Sequence, residues 1–245
     1  MKPLEKAQFI SNWIKDYVEK MPSKAQSLII GISGGIDSSV SSTLSAMTGI
    51  KTIVLSMPIK QKLSQHDLSL KHQEWLVKNF DNVEAHTLNL DKLFETFKST
   101  LANFDSELGM ANSRARIRMT TLYQVAAANK GIVVGTGNKV EDFGVGFYTK
   151  YGDGGVDISP IADCNKSEVW EIGKSINILQ EIIEAAPTDG LWDDGRTDEG
   201  QLGLKYAELE EAMNNVNSIN REKYEKIRKM NLHKMEPIPV CKIPN

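Results

Sequence analysis

Residues 28–39 read Leu-Ile-Ile-Gly-Ile-Ser-Gly-Gly-Ile-Asp-Ser-Ser, and this stretch carries the strongest structural signal in the chain. The apolar run over 28–32 is short enough to be a strand buried on both faces, and Ser33-Gly34-Gly35 ends it with residues that tolerate a tight turn at positive φ. The small and polar residues of 37–47 are typical of a helix start. Because free backbone N–H groups and the positive end of the helix dipole converge there, the stretch predicts a site for an anion such as phosphate.

The glycine turn differs from the common P-loop. That motif requires a Gly-Lys-Ser/Thr triplet, and no lysine lies between Lys24 and Lys51. Residues 33–39 instead resemble the SGGxDS loop of the PP-loop ATP pyrophosphatases, which cleave ATP between the α- and β-phosphates. An ordinary glycine-rich turn is the alternative, and it is disfavoured because Ser, Gly, Gly, Asp and Ser all fall in register directly after a strand.

The rest of the chain alternates predicted strands and helices. Apolar runs predict further strands over 52–57, 83–90 and 131–135, and helical spacing predicts helices over 4–20, 37–47, 64–80, 92–101, 111–130, 166–176, 204–216 and 221–231. Such alternation predicts a doubly wound α/β fold with a mostly parallel sheet and helices on both faces. Ligands of such sheets bind beyond the carboxyl ends of the strands, where Ser33–Asp37 and Thr136–Glu141 would lie.

Composition narrows the class of protein. The chain of 245 residues is 40% hydrophobic and 25% charged, which is ordinary for one globular domain over 1–245, and its net charge of −3 gives no electrostatic reason to expect a nucleic acid partner. No apolar run has membrane-spanning length, and the charged N-terminus is unlike a signal peptide, so we expect a cytoplasmic protein. Cys164 and Cys241 lack metal-ligand spacing, which favours two reduced, structural thiols.

Three further segments identify a family resemblance. Ala-Arg-Ile-Arg-Met (115–119), Gly-Thr-Gly-Asn-Lys-Val-Glu (135–141) and Phe-Tyr-Thr-Lys-Tyr-Gly-Asp-Gly-Gly-Val-Asp-Ile-Ser-Pro-Ile (147–161) closely resemble the ammonia-dependent NAD+ synthetases, and the resemblance extends over nearly the whole chain. It implies amidation of deamido-NAD+ with ammonia and ATP, through an acyl-adenylate, to give NAD+, AMP and pyrophosphate. It also implies a homodimer.

The resemblance implies a role for individual residues. The implied ATP site comprises Gly31, Ile32, Ser33, Gly34, Gly35, Ile36, Asp37, Ser38, Thr136, Lys166 and Thr188, with Asp37 and Lys166 as catalytic residues. Asp37 and Glu141 would hold Mg2+. The implied contacts to deamido-NAD+ are Arg116, Lys150, Asp157, His233 and Lys234. The segment 188–201, rich in acids and glycines, is expected to be a loop that serves as a lid.

Each assignment has a simpler alternative. The lysines could be solvated, Asp37 could only cap a helix that starts at Ser38, and Glu141 could be a solvated loop acid. Asp157 could merely cap a turn, and His233 could be a surface histidine. Other PP-loop enzymes remain as rivals, but a GMP synthetase would carry a glutaminase and a tRNA-modifying enzyme would carry a basic appendage. A non-catalytic nucleotide-binding module of the universal-stress type would have little use for the segment from Lys150 to Asp157.

Overall fold

The computed structural model describes residues 1–60, 63–192 and 196–244. One four-stranded sheet lies at its centre, and its strands are β1 (Ser27–Gly31), β2 (Lys51–Ser56), β3 (Val83–Thr87) and β4 (Gly131–Val133). The strand order is β3-β2-β1-β4 and every pairing is parallel, with Ile29 opposite Ile53 on one side and Val133 on the other. The sequence that precedes the glycine turn therefore forms an inner strand.

Helices connect and follow the strands. They are α1 (Pro3–Lys20), α2 (Ile36–Ala46), α3 (Leu63–Asn79), α4 (Asp91–Thr100), α5 (Glu107–Ala128), α6 (Lys166–Ser175), α7 (Gln180–Ile183), α8 (Asp198–Leu202), α9 (Tyr206–Asn214) and α10 (Arg221–Met235). None of the described helices combines the length and the apolar character needed to cross a bilayer.

The two faces of β1 pack against different sets of helices. Leu28 and Ile30 pack in an apolar cluster with residues of α1, α2 and α6, whereas Ile29 packs in a second cluster with Phe94 of α4 and with Met119 of α5. Alternate residues of a strand point to opposite faces, so a continuous apolar run requires cover on both. The predicted doubly wound α/β architecture is confirmed.

The structure departs from the local predictions most clearly in two segments, and one further element was not predicted. The segment 188–201 was expected to be a loop, but the Thr197 hydroxyl accepts a hydrogen bond from Gly200 N at 3.2 Å and caps α8; residues 193–195 lie outside the described residues. Helix α10 continues through His233 and Lys234 instead of ending near residue 231. Residues Lys139–Val145 form a π-helical turn, a rare form that periodicity does not reveal.

Candidate active site

The phosphate loop, residues 33–38, follows β1 at the carboxyl edge of the sheet. Gly34 has a φ of 91°, a conformation that favours glycine, and the Ser33 and Ser38 hydroxyl groups lie 3.1 Å apart across the turn. Ser33 Oγ accepts a hydrogen bond from Gly35 N at 3.2 Å. The first-turn N–H groups of α2 have no partner within that helix, so they are available to an anion.

Lys166 joins two carboxylates that are distant in sequence. Its Nζ donates to Asp37 Oδ2 and, at 2.9 Å, to Glu141 Oε1, and its side chain is only 2% exposed. Asp37 does not cap α2, because Gly35 is the N-cap residue. Asn138 completes the cluster, since its Nδ2 donates to Asp37 at 3.2 Å and its Oδ1 accepts from Glu141 N at 3.1 Å. The solvated and capping alternatives for these three charged residues do not hold.

Burial and the charges of the cluster act in opposite directions on its members. Burial, the largest effect on Asp37, raises the pKa of that carboxyl against the attraction of Lys166. Burial disfavours the charge on Lys166, but the carboxylates of Asp37 and Glu141 outweigh it and raise the pKa of Lys166 above its ordinary value. Burial also opposes the charge on Glu141, yet Lys166 and the Tyr206 hydroxyl lower the pKa of that carboxyl. One buried cation therefore serves two carboxylates.

Tyr206 contacts both Glu141 and Lys166. Its hydroxyl donates to Glu141 Oε1 at 2.5 Å and lies 3.2 Å from Asp198 Oδ2, while its ring centroid is 4.7 Å from Lys166 Nζ. Burial, followed by the charge of Glu141, raises the pKa of Asp198 to about 7. The second oxygen of Asp198, Oδ1, is buried and has no hydrogen-bond partner among the described residues.

A cavity of about 220 Å³ gathers most of the residues assigned to ATP. The assigned residues that line it are Gly31, Ile32, Ser33, Gly35, Ile36, Asp37, Ser38, Thr136, Lys166 and Thr188, together with Glu141. Gly34 is the one assigned residue of the loop outside this lining, where it shapes the turn. Apolar side chains, among them Met57 and Leu122, form another part of the wall.

The cavity holds a surplus of acid. Asp142, Asp153, Asp189 and Asp198 line it in addition to Asp37 and Glu141. Burial raises the pKa of Asp153 to about 6, and burial together with neighbouring carboxylates raises that of Asp142 well above its usual range. None of these four residues is among those assigned to the site from the sequence. The available signals were the Gly-Asp-Gly-Gly run for Asp153 and the Asp-Glu pair at 198–199.

The acidic side chains that line the cavity fit Mg2+. No cluster of three or more His, Cys, Asp or Glu ligands occurs in the part of the chain that the structure describes. Mg2+ is commonly held by one or two carboxylates and completes its shell with phosphate and water oxygens. The acid surplus and the orphaned Asp198 Oδ1 suit a cation that arrives with a nucleotide.

The residues assigned to deamido-NAD+ lie outside this lining. Arg116 Nε donates to the Lys150 carbonyl at 3.2 Å, Lys150 Nζ donates to the His233 carbonyl at 3.3 Å, and Lys234 Nζ donates to the Tyr148 carbonyl at 2.8 Å. One connected group at the surface therefore comprises Arg116, Lys150, His233 and Lys234.

Asp157 is held separately from that group. Its carboxylate accepts hydrogen bonds from Val133 N at 2.7 Å and from the Tyr123 hydroxyl at 3.1 Å. These bonds tie Asp157 to the end of β4 and to α5. Capping of a turn, the simpler alternative for Asp157, is not what the carboxylate does here.

Known proteins match this chain along its length. A profile of the NAD synthase family matches residues 6–243. The NH3-dependent NAD+ synthetase of Carboxydothermus hydrogenoformans is 35% identical over 211 residues, which cover 84% of this chain and 83% of that protein. The structure of NMN synthetase from Francisella tularensis has a TM-score of 0.89 at 32% identity and covers 100% of this chain and 99% of its own. NH3-dependent NAD synthetase from Campylobacter jejuni has the same fold, with a TM-score of 0.79 at 22% identity over 99% of this chain and 100% of its own. Because the family profile spans nearly every residue, this chain belongs to the NAD synthase family.

Proposed function

We propose that this protein amidates deamido-NAD+ with ammonia at the expense of ATP, giving NAD+, AMP and pyrophosphate. The observation that carries the proposal is the Asp37–Lys166–Glu141 cluster, which lies in the same cavity as the phosphate loop. Lys166 supplies the buried cation that the loop itself lacks. Thr136 and Thr188 line the same cavity.

The chemistry proceeds in two balanced steps. An oxygen of the pyridine carboxylate attacks the α-phosphorus of ATP, the bond to the bridging oxygen breaks, and pyrophosphate leaves. Ammonia then attacks the acyl carbon, the carbon–oxygen bond to AMP breaks, and one proton leaves the nitrogen. Both steps depend on positioning and on neutralising phosphate charge, which is what backbone N–H groups, hydroxyl groups and Lys166 can provide.

We assign Mg2+ to Asp37 and Glu141. The ion would neutralise phosphate charge in this site when it is bound with ATP. Within the chain, Asn138 orients Asp37 and fixes the backbone of Glu141, so the two carboxylates are held before any ligand arrives. The surface group of Arg116, Lys150, His233 and Lys234, with Asp157, is assigned to the dinucleotide.

An end-point assay tests the function directly. The protein is incubated with ATP, Mg2+, deamido-NAD+ and an ammonium salt, and the products are separated by chromatography. We expect NAD+, AMP and pyrophosphate in equal amounts. Formation of ADP and phosphate, or no amide product, would contradict the proposal. Glutamine in place of ammonium should give little product, and replacing Cys164 or Cys241 with serine should not change the ammonium-dependent rate.

A mononucleotide is the second candidate substrate. The NMN synthetase of Francisella tularensis has a higher TM-score against this chain, 0.89, than the Campylobacter jejuni NAD synthetase, 0.79. The cavity lining also excludes the five residues assigned to the dinucleotide. The comparison to make is kcat/KM for nicotinic acid mononucleotide against kcat/KM for deamido-NAD+ under one set of conditions. A tenfold preference for the mononucleotide would replace the first candidate with the second.

A further inference from the structure

Arg118 is a cavity residue to which the proposed chemistry assigns no role. It lies on α5 and lines the same cavity as the phosphate loop. Its Nε donates to the Met57 carbonyl at 3.1 Å, which anchors one edge of the guanidinium. Its Nη2 is buried without a hydrogen-bond partner among the described residues. A buried cationic donor without a partner is costly, so an acceptor that reached Nη2 would stabilise the site.

Arg114, the neighbouring arginine of α5, makes contacts that are typical of a structural residue. Arg114, one turn earlier, donates from Nη1 to the Leu191 carbonyl at 2.8 Å, and its guanidinium lies 4.9 Å from the ring centroid of Phe94. Among the described residues, Arg118 has the Met57 carbonyl as its hydrogen-bond acceptor. Arg114 is buried and packs on Phe94, whereas Arg118 is half-buried and is the one of the two that lines the cavity.

The donors of Arg118, and not the net charge of the cavity, favour an anion at this residue. Among the described residues that line the cavity, the cations are Arg118 and Lys166, and Lys166 is already bound to Asp37 and Glu141. Burial and the nearby Arg114 lower the pKa of Arg118 to about 10, so it remains a cation at neutral pH. Lys166 keeps at most one of its three donors for a ligand, whereas Arg118 keeps a buried Nη2 that has no partner among the described residues.

We propose that Arg118 binds an oxyanion of a substrate, a carboxylate or a phosphate group, through its two Nη groups. A guanidinium presents parallel N–H donors at the spacing of two such oxygens, and an ammonium group cannot reproduce that geometry. The inference rests on the proposed function in one respect, because that function supplies both candidate oxyanions. The pyridine carboxylate and the ATP phosphates are the two sources.

Calorimetric titration without turnover tests the inference and separates the two sources. The probes are inorganic pyrophosphate, deamido-NAD+ and NAD+, the last two of which differ only in carboxylate against amide. Arg118→Gln should weaken binding of pyrophosphate, or of deamido-NAD+ selectively over NAD+, by about tenfold, because a hydrogen bond to a charged group contributes at least that much. Loss of pyrophosphate affinity identifies the phosphate source. Loss of the preference for deamido-NAD+ identifies the carboxylate.

Two further variants make the result decisive. Arg118→Lys keeps the charge and loses the paired donors, so it should bind the affected probe several-fold less tightly, and it decides the question if Arg118→Gln does not fold. Arg221→Gln is the control, since Arg221 of α10 donates to the Ala212 carbonyl at 2.7 Å and does not line the cavity. Affinities of the Arg118 variants within twofold of wild type for every probe would overturn the inference. Altered binding in a protein that makes no amide product would overturn the proposed function alone.

Discussion

At the scale of single residues, the site depends on the buried Lys166, which binds the carboxylates of both Asp37 and Glu141. Replacing Asp37 with Asn or Glu141 with Gln should reduce turnover at least a hundredfold, because each change removes a charge that we assign to both Lys166 and Mg2+. For Glu141→Gln, stability should fall by about 1–3 kcal/mol, since Lys166 loses part of its counter-charge. Rates over a Mg2+ series and thermal melting measure both effects. Asp16→Asn, at an exposed ion pair of 3.9 Å with Lys20, is the control. Normal turnover with an unchanged Mg2+ requirement would remove Asp37 and Glu141 from the metal site.

The Tyr206 hydroxyl should matter more than its ring. Tyr206→Phe keeps the ring beside Lys166 but leaves Glu141 without its donor at 2.5 Å, so we expect weaker binding of Mg2+ and ATP and a stability loss of about 1 kcal/mol. Tyr224→Phe is the matched control, because Tyr224 is also buried and its hydroxyl donates, among the described residues, to the Gly144 carbonyl at 3.3 Å. Calorimetry of ATP binding with and without Mg2+ separates the variants. Equal behaviour of the two would assign Tyr206 a packing role.

Asp198 should make stability depend on pH. Burial and Glu141 raise its pKa to about 7, with Asp189 acting in the same direction and Lys166 and the Tyr206 hydroxyl opposing it. The folded chain therefore binds a proton that the unfolded chain releases near pH 4, and this contribution to stability is lost as pH rises from about 4 to 7. Asp198→Asn should unfold like wild type at pH 5 and be more stable at pH 8, by on the order of 2 kcal/mol. Urea titrations in EDTA measure the difference, and a variant less stable at pH 8 would refute the prediction.

At the scale of elements, helix starts place two of the site residues. Lys166 and Tyr206 are each the first residue of a helix, and each helix carries a glutamate that accepts from the backbone N–H of the preceding residue. Glu168 accepts from Asn165 N at 2.8 Å, as the Asn-x-x-Glu spacing predicts, and Glu208 accepts from Lys205 N at 2.7 Å. A capped helix start has a defined direction, so the side chain that follows the cap is directed as well.

The cap of α6 offers a test of this arrangement. Glu168→Ala should lower the free energy of unfolding by about 1 kcal/mol, because it removes the acceptor for Asn165 N and the ion pair with Lys6. Glu168→Gln keeps an acceptor and should lose less. Denaturant midpoints measure both variants, with Glu171→Ala as the control on the exposed face of the same helix. Equal stability of Glu168→Ala and wild type would mean that tertiary packing alone holds the start of α6.

At the scale of the whole molecule, the prediction of a homodimer is open to measurement. Helix α1 exposes Phe9, Trp13 and Tyr17, and Phe9 is 60% exposed in the single chain. Light scattering at micromolar concentration should give twice the chain mass of 27.3 kDa. A mass equal to one chain throughout that range would contradict the prediction. If the dimer forms, an exposed apolar side chain of this kind should lose solvent contact, which tryptophan fluorescence of Trp13 can report.

The sequence by itself determined the parts of this protein that local patterns encode. The strand, glycine turn and helix over 28–47, the alternation that builds a parallel sheet, and the residues of the phosphate loop all depend on periodicity and backbone preference over a few neighbouring residues. The shared edge for the loops of Asp37 and Glu141 also followed, because parallel strands bring their carboxyl ends to one side.

Only the tertiary structure decided which ionisable groups interact with one another. Lys166 binds Asp37, which is 129 residues away in the sequence, and Glu141, which is 25 residues away. Tyr206 donates to Glu141 across 65 residues. Arg118 Nε donates to the Met57 carbonyl, while its Nη2 has no partner among the described residues. The physical reason is that burial and Coulomb interaction depend on distance in space, and both are set only when the helices pack. An acid or a base becomes a functional group here through neighbours that its own stretch of sequence does not contain.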